Sequence, residues 1–335
     1  MGAYGGIEAF VLELGRYLNQ CNSYAVKLCF KLVSGYKIDV RLEQILTESP
    51  LNYTVVQKCS RELYHEIRSA DIVHMQNASP DVAMLSRLCG AKLVQTIHNH
   101  LHDRGFLRTC TWKFGAALAD LRIYNSNFVQ DSWTRHQTPR DLVIPTVSEF
   151  TQNFAPFETR RGFVFLSRLI PNKGADTLIQ AYSAADIPHQ DWPLHILGDG
   201  PLRQELEAIA AQGPSSIHFA GFISEAEKQK TLRHARWLIA PPNTREDMGL
   251  TPLEARANGI PVIATRDGGL AESAGADALI CTPGNVSELR ALIEKAAAMP
   301  SAEYEKRSHG AFESLKTHLK PMSIYPELYQ QLLKA

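Results

Sequence analysis

Short runs rich in β-branched side chains alternate along this chain with stretches whose apolar positions recur at helical spacing. Residues 7–18 carry an apolar stripe and predict a helix. Runs 24–32, 70–75, 91–97 and 121–124 predict strands, with 142–145 a further short one. Between them, helices are predicted around 58–69, 79–88 and 111–119. The texture then changes: residues 148–161 are polar, include a proline and show no apolar periodicity, as an interdomain linker does. Afterwards the alternation restarts. Strands are expected at 162–167, 194–197, 217–220, 237–240, 261–264 and 279–281. Helices are expected at 175–184, 201–211, 225–235, 252–258, 286–298 and, at the end, 325–333. Strand–helix alternation of this kind marks parallel α/β architecture. The expected organisation is two Rossmann-like domains, 1–147 and 162–317, with no detailed repeat between them.

The start of the chain departs from this pattern. Gly5-Gly6 makes a glycine turn that leads directly into the first helix, whereas in a Rossmann unit such a turn follows the first strand. The expectation is a first sheet one strand short, a strand of roughly 5–6 residues plus its lead-in being missing.

Composition narrows the partners. Lysine plus arginine equals aspartate plus glutamate at 35 each, so no charged face exists for bulk nucleic-acid binding. An anionic ligand must be held by a few placed groups. The six cysteines have no paired short spacing, which argues against a zinc site or a disulfide framework and for a reducing compartment. Cys29, inside a predicted strand, reads as a buried strand residue. No apolar run approaches the roughly 20 residues of a membrane span, and no signal peptide is legible. A cytoplasmic protein is expected, with peripheral membrane contact left open.

Two constellations carry chemistry. Residues Glu246-Asp247-Met248-Gly249-Leu250-Thr251-Pro252-Leu253-Glu254 follow a strand and run into a helix, where ligands of open α/β sheets sit. Gly249 permits close backbone approach, and Gly249, Leu250 and Thr251 leave free N–H groups suited to a phosphate. Two acids bracketing that nest can reach a sugar at one end and ribose hydroxyls at the other. The rival reading makes Glu246 a solvated loop acid and Glu254 a first-turn helix charge. In the second constellation a strand ends at Arg168 and a turn brings Lys173 and Gly174, so two cations can clamp a diphosphate. Taken alone they are equally two surface cations. Gly221-Phe222-Ile223 ends another strand where backbone groups can read a nucleobase, although Phe222 equally suits the core. Gly198-Asp199-Gly200 lacks the third glycine of a dinucleotide fingerprint and reads as a tight strand–helix turn.

In the first half, Gly5 and Gly6 head a helix and can face a phosphate or an acceptor. His98 closes a strand, and His100 and His102 follow at alternate positions. A metal reading competes there with a ligand contact by His98, but no carboxylate partners stand near. Ser126 and Asn77 are further strand-edge candidates.

Together these residues resemble the family-4 glycosyltransferases of the GT-B fold, nearly throughout and most densely over 163–284. The resemblance rests on Gly5-Gly6-Ile7-Glu8, strand-end His98, the Arg168-to-Gly174 run, the Glu246-to-Glu254 spacing, and 259–264 followed by Gly268-Gly269. It implies two Rossmann-like domains facing across a cleft, with residues 318–335 a crossover helix returning to the first domain. It also implies a UDP- or GDP-linked sugar donor held mainly by the second domain and a glycan or lipid-linked acceptor held mainly by the first. Transfer with retention is implied, without a cofactor or required metal. Arg168 and Lys173 would neutralise the leaving diphosphate, Glu246 would hold the sugar hydroxyls, Glu254 the ribose, and His98 the sugar. Gly5, Gly6, Gly221, Phe222, Ile223, Met248, Gly249, Leu250 and Thr251 complete the donor contacts. Ser167 stands where a glycine is usual, and Met248 where phenylalanine is commoner. An envelope polysaccharide or lipopolysaccharide role is expected. Rival functions are a nucleotide-sugar epimerase or phosphorylase on the same fold, or an impaired nucleotide-sugar-binding relative. A basic and aromatic cluster (Arg104, Phe106, Leu107, Arg108, Trp112, Lys113) is either a membrane contact or an ordinary exposed surface.

Overall fold

The structure, a computed structural model, describes residues 5–21, 23–32, 37–102, 105–145, 154 and 156–334. Arg104 and half of the 148–161 stretch therefore lie outside the described residues. The chain divides into two compact units, Met1–Glu149 with Leu319–Ala335, and Phe150–His318.

The first unit runs α1 (Gly6–Gln20), β1 (Leu28–Leu32), α2 (Val40–Glu48), β2 (Tyr53–Gln57), α3 (Arg61–Arg68), β3 (Ile72–Gln76) and α4 (Pro80–Cys89). It continues through β4 (Lys92–Ile97), α5 (Phe106–Ala117), β5 (Leu121–Tyr124), α6 (Asn127–Trp133) and β6 (Asp141–Val143). The second unit holds β7 (Arg161–Leu166), α7 (Ala175–Ala184), β8 (Leu194–Leu197), α8 (Arg203–Ala210), β9 (Ile217–Gly221), α9 (Glu225–His234) and β10 (Ala235–Ala240). Then follow α10 (Leu250–Ala257), β11 (Val262–Thr265), α11 (Leu270–Ala274), β12 (Leu279–Cys281), α12 (Val286–Ala297) and α13 (Ser301–His318). The last helix, α14 (Ile324–Lys334), belongs to the first unit.

All named strand pairs are parallel. The second unit has one six-stranded sheet ordered β12-β11-β10-β7-β8-β9, so the adjacent strands β7 and β10 send their outgoing loops side by side. Its inner strands β7, β10 and β11 are buried on both faces, as parallel strands covered by helices must be. Phe163, Phe165, Trp237 and Ile239 pack against α7 and α12 on one face, while Val164, Leu238 and Ala264 pack against α10 and α11 on the other.

The first unit holds two sheets among its described residues, β1-β2 and β3-β4-β5-β6. Between them lies a cavity of about 860 Å³, lined by residues of both β1 and β3. Cys29 sits on β1 as predicted but is exposed and lines this cavity, contrary to the buried reading. The neighbouring Leu28 and Phe30 are buried and pack with Leu12, Leu42 and Leu46.

The sheet of the first unit separates its neighbours by alternation. Val94 faces a cluster containing Phe10, Leu14 and Leu18 of α1 with Tyr325 and Tyr329 of α14. Leu93, the next residue of β4, faces Leu63, Ile67 and Val82 of α3 and α4. Below the C-terminal helix, His74 of β3 is half-buried. Its Nδ1 lies 2.6 Å from the Tyr329 hydroxyl and its Nε2 2.7 Å from Thr96 Oγ1. Arg160, at the end of the 148–161 stretch, is fully buried in the second unit. It donates to the carbonyls of Asn258 and Gly259 and to the hydroxyls of Tyr304 and Ser308.

Candidate functional site

In the second unit the loops leaving β7 and β10 are stitched together. Asn243 N–H donates to the Asn172 carbonyl at 2.9 Å, and Lys173 Nζ donates to Glu246 Oε1 at 2.6 Å. Gly174 makes that approach possible. Its φ is +73°, and a Cβ there would lie 1.8 Å from the Pro241 carbonyl oxygen. The Glu246 segment is anchored on its other side as well. It forms a parallel bridge with Gly268, and Gly269 N–H donates to the Glu246 carbonyl at 2.7 Å. A Cβ on Gly268 would come within 2.2 Å of that same oxygen, which explains the glycine at 268. Glu246 is thus a fixed, ion-paired carboxylate, not a solvated loop acid.

Arg168 stands two residues beyond β7, exposed and without an ion pair among the described residues. Lys173, in contrast, is partly buried against Glu246. One cation of the predicted clamp is therefore paired and the other open to solvent.

Helix α10 begins at Leu250, two residues earlier than the pattern predicts, with Gly249 as a buried cap. The Gly249 amide does not stay free as expected, because it donates to Ser273 Oγ at 3.1 Å. The amides of Leu250 and Thr251, at the first two helical positions, have no protein acceptor among the described residues. Helix termini leave such donors for an anion. Met248, before the cap, is half-buried.

Glu254 is not a first-turn charge. It lies one turn further along α10 and accepts from Lys228 Nζ of α9 at 2.8 Å, and Lys228 also reaches Glu225 at 2.8 Å. Burial pushes the Glu254 carboxyl up and Lys228 offsets part of that rise. Burial opposes the charge on Lys228 in turn, but Glu254 and Glu225 hold its pKa above the ordinary lysine value. Each member of the pair thus offsets part of the other's desolvation.

Beside this, Gly221 ends β9 with φ +70°, its carbonyl accepting from Gly198 N–H at 2.9 Å. Phe222 is 74% exposed, so its core reading is overturned. Ile223 packs partly on the Val164–Leu238 side of the sheet.

The first unit presents a separate polar edge. His98 follows β4 and is buried. Its Nε2 lies 2.7 Å from Gln76 Oε1, its N–H donates to Asn77 Oδ1 at 2.9 Å, and its carbonyl accepts from Asn125 Nδ2 at 2.9 Å. Asn77 takes φ +59° to do so. Phe10 of α1 meets the His98 ring at a centroid distance of 6.2 Å, which puts the amino end of α1 at this same edge. Gly5 caps that helix in extended conformation, its N–H donating to Glu8 Oε2 at 3.1 Å, and Gly6 opens it. Ser126 caps α6 by accepting from Val129 N–H. The rings of His100 and His102 are 3.8 Å apart, and no three metal-ligating side chains gather among the described residues.

Sequence reading missed Lys228, Asn243 and Ser273. Lys228 looked like one more cation on a polar helix, and only the packing of α9 on α10 brings it to Glu254. Asn243 and Ser273 act through backbone partners, which leave no pattern in sequence.

The chain matches the family described as Glycosyl transferases group 1 over residues 147–311, and that described as Glycosyltransferase Family 4 over residues 4–146. A GDP-mannose-dependent alpha-(1-6)-phosphatidylinositol monomannoside mannosyltransferase of Mycolicibacterium smegmatis is 34% identical over 312 residues, 81% of this chain and 78% of that protein. A related monoacylated phosphatidylinositol monomannoside mannosyltransferase of Corynebacterium glutamicum is 33% identical over 134 residues, 38% of this chain. The chain spans only 35% of that relative's length. Among solved structures, Anabaena Alr3699/HepE in complex with UDP superposes with a TM-score of 0.78 at 17% identity, covering 100% of this chain and 98% of that one. With both halves matched in order and two parallel α/β units in place, the chain belongs to glycosyltransferase family 4, with the GT-B fold.

Proposed function

We propose that this protein is a retaining hexosyltransferase that moves a sugar from a nucleotide-diphosphate sugar to a glycan or lipid-linked acceptor. The observation that carries the donor reading is the second-unit cluster: a fixed Lys173–Glu246 pair, the open amides of Leu250 and Thr251, and the Glu254–Lys228 pair. In this reading Arg168 and Lys173 take the diphosphate, and the α10 amides take a phosphate oxygen. Glu246 accepts from sugar hydroxyls and Glu254 from the ribose. Gly221, Phe222 and Ile223 border the base, and Met248 and Gly249 shape the turn beneath the phosphates. Two protein cations can carry the leaving charge, so no metal is required. Glu246 and Glu254 are each committed to a lysine, which disfavours either as a covalent nucleophile. Retention then follows by front-face attack, a phosphate oxygen assisting the acceptor's proton loss. On the first unit, His98 contacts the sugar, while Gly5 and Gly6 offer amides at the head of α1.

The mannosyltransferase relatives favour GDP-mannose as donor and a lipid-anchored glycan as acceptor, in envelope glycolipid, polysaccharide or lipopolysaccharide synthesis. A thermal-shift series with GDP, UDP and ADP and their sugar conjugates tests the donor site. A nucleotide at a hundred times its Kd stabilises by about 2.7 kcal/mol. The expected result is one base giving a clear upward shift that Glu254→Ala abolishes. An undiminished shift in that variant would remove the site from Glu254, and turnover without acceptor incorporation would favour the epimerase reading.

Peripheral membrane contact is part of the proposal. Phe106 and Leu107 are each 81% exposed at the start of α5, and Phe114 further along it is exposed too, with Arg108 and Lys113 between them. Apolar tips among cations suit an anionic lipid surface. Vesicles of phosphatidylglycerol should sediment the protein, and Phe106→Ser with Leu107→Ser should reduce that binding at least about tenfold. Equal sedimentation of the double variant would place the contact elsewhere. Among the described residues no helix is long and apolar enough to cross a membrane.

A further inference from the structure

Strand β3 hands polar side chains across to β4 in a repeated diagonal step. Gln76, the last residue of β3, stands opposite Thr96 in the parallel register. His74 Nε2 meets Thr96 Oγ1 at 2.7 Å, and one step further on Gln76 Oε1 meets His98 Nε2 at 2.7 Å. Alternation puts these groups on the face of the sheet where Val94 packs against α1. Phe10 of that helix meets the His98 ring edge-on.

The His98 backbone is fixed without help from Gln76. Its N–H donates to Asn77 Oδ1 and its carbonyl accepts from Asn125 Nδ2, both at 2.9 Å. What Gln76 controls is the ring, and with it the placing of one proton. A neutral imidazole carries hydrogen on one nitrogen and a lone pair on the other. An amide oxygen has no hydrogen to give, so opposite Gln76 Oε1 the Nε2 atom is the donor and Nδ1 the acceptor. Gln76 is also uncharged, so it orders the tautomer without favouring the imidazolium as a carboxylate would. The other tautomer, or the imidazolium, would present an N–H from Nδ1 and suit a phosphate or carboxylate. The accepting nitrogen suits a hydroxyl. Since the residue is only 5% exposed, water competes little for either nitrogen.

We infer that Gln76 is the positioning residue for His98, holding its ring as the Nε2–H tautomer so that Nδ1 accepts from one hydroxyl of the donor sugar. This deepens the proposed function and rests on its reading of His98 as the sugar contact. The specificity that follows is for a sugar with an intact hydroxyl at that one position, against its deoxy counterpart and against an anionic group there.

Two measurements test it. The first needs no ligand: nitrogen NMR of the histidine rings at about pH 8.5, roughly two units above the ordinary histidine pKa. The His98 signals are identified by their loss in His98→Asn. The parent ring should be the Nε2–H tautomer. Gln76→Met keeps the length and removes the acceptor, and should give a mixture of tautomers. Gln76→Glu keeps an accepting oxygen and should restore the parent signals at that pH. The second measurement is calorimetry with GDP, GDP-mannose and its 2-, 3-, 4- and 6-deoxy conjugates (UDP, UDP-glucose and its deoxy conjugates if the base series selects uridine). One deoxy conjugate should bind the parent about five- to tenfold more weakly than the full sugar nucleotide. In Gln76→Met that penalty alone should shrink to about twofold or less, with affinity for the free nucleotide unchanged. A merely structural role would weaken every conjugate alike. The inference is overturned by a parent ring protonated on Nδ1, by a ring in Gln76→Met that matches the parent, or by equal losses across the deoxy series. Absence of any nucleotide binding would instead bring down the donor reading and the hydroxyl contact with it, while the ring signals still decide whether Gln76 holds His98.

Discussion

Lys173→Ala is expected to lower transfer rate by about a hundredfold to a thousandfold while leaving the protein folded. Departure of a nucleoside diphosphate concentrates negative charge on the phosphate oxygens, and a cation placed there acts more strongly on the transition state than on the bound donor. Arg168 is exposed and pays for its charge with little desolvation, so it contributes less per unit charge than the half-buried Lys173. The fold does not depend on Lys173 to a comparable degree. The Lys173–Glu246 pair is partly solvated, and its loops remain joined through Asn172 and Asn243 and through the Glu246–Gly268 bridge. Loss of the pair should therefore cost about 1 kcal/mol or less in stability. Two further variants separate charge from contact. Lys173→Arg should recover part of the rate. Glu246→Gln combined with Lys173→Ala should lose less than the product of the single losses, because the two groups act on one another. Steady-state rates with saturating donor decide it, and a Lys173→Ala rate within threefold of the parent would remove Lys173 from the chemistry.

The parts of the candidate site that were legible in sequence were those whose residues are contiguous. The Glu246-to-Glu254 run carries its own turn, cap and charges, and the Arg168-to-Gly174 run carries its own cations and glycine. Their joining through Gly174 and Pro241 is a consequence of strand order, which no single segment encodes. The same distinction explains the missed elements. Helix α13 buries Tyr304, Ser308, Ala311 and Leu315, a stripe at helical spacing in which only one residue is aliphatic and large. Its buried hydroxyls serve Arg160, the Gly259 carbonyl and the Arg236 carbonyl, so the face is polar in sequence and satisfied only in the fold. Helix α2 buries only Leu42 and Leu46 and is set by its Asp39 cap more than by periodicity. Helices α6 and α11 are seven and five residues long, below the window in which a period shows. Strand β2 contains Val55 and Val56 but buries only the latter, so no alternation announced it. Lys228 and His74 became informative only when their partners, more than 20 residues away in each case, were brought to them.

His74 makes the second large effect, a loss of stability in mild acid. Burial, with His98 adding to it, lowers the His74 pKa to about 3. In the unfolded chain the same imidazole titrates near 6.5. The folded state therefore binds fewer protons than the unfolded state between these values, and stability falls as pH falls through that window. Above about pH 6.5 the group costs nothing; by pH 4.5, two units lower, it should cost about 2–3 kcal/mol. The loss should appear first where the ring is used. His74 lies against Tyr329 of α14 and Thr96 of β4, so protonation forces a charge into the seat of the C-terminal helix. His195 in the second unit is depressed by burial and His218 and adds a loss of the same sign there. Asp81 and Asp141 have lowered pKa values, so their stabilising effects vanish only at more acid pH, below the ordinary carboxylate range. Urea unfolding followed by hydrogen exchange in α14, at pH 7.5, 6.0 and 4.5, isolates the contribution. His74→Gln should weaken the protein at pH 7.5 but flatten the decline between pH 6 and 4.5 in the first unit. If the variant keeps the parent's full acid dependence in α14, the proton is taken up elsewhere and His74 is not the acid-sensitive seat of that helix.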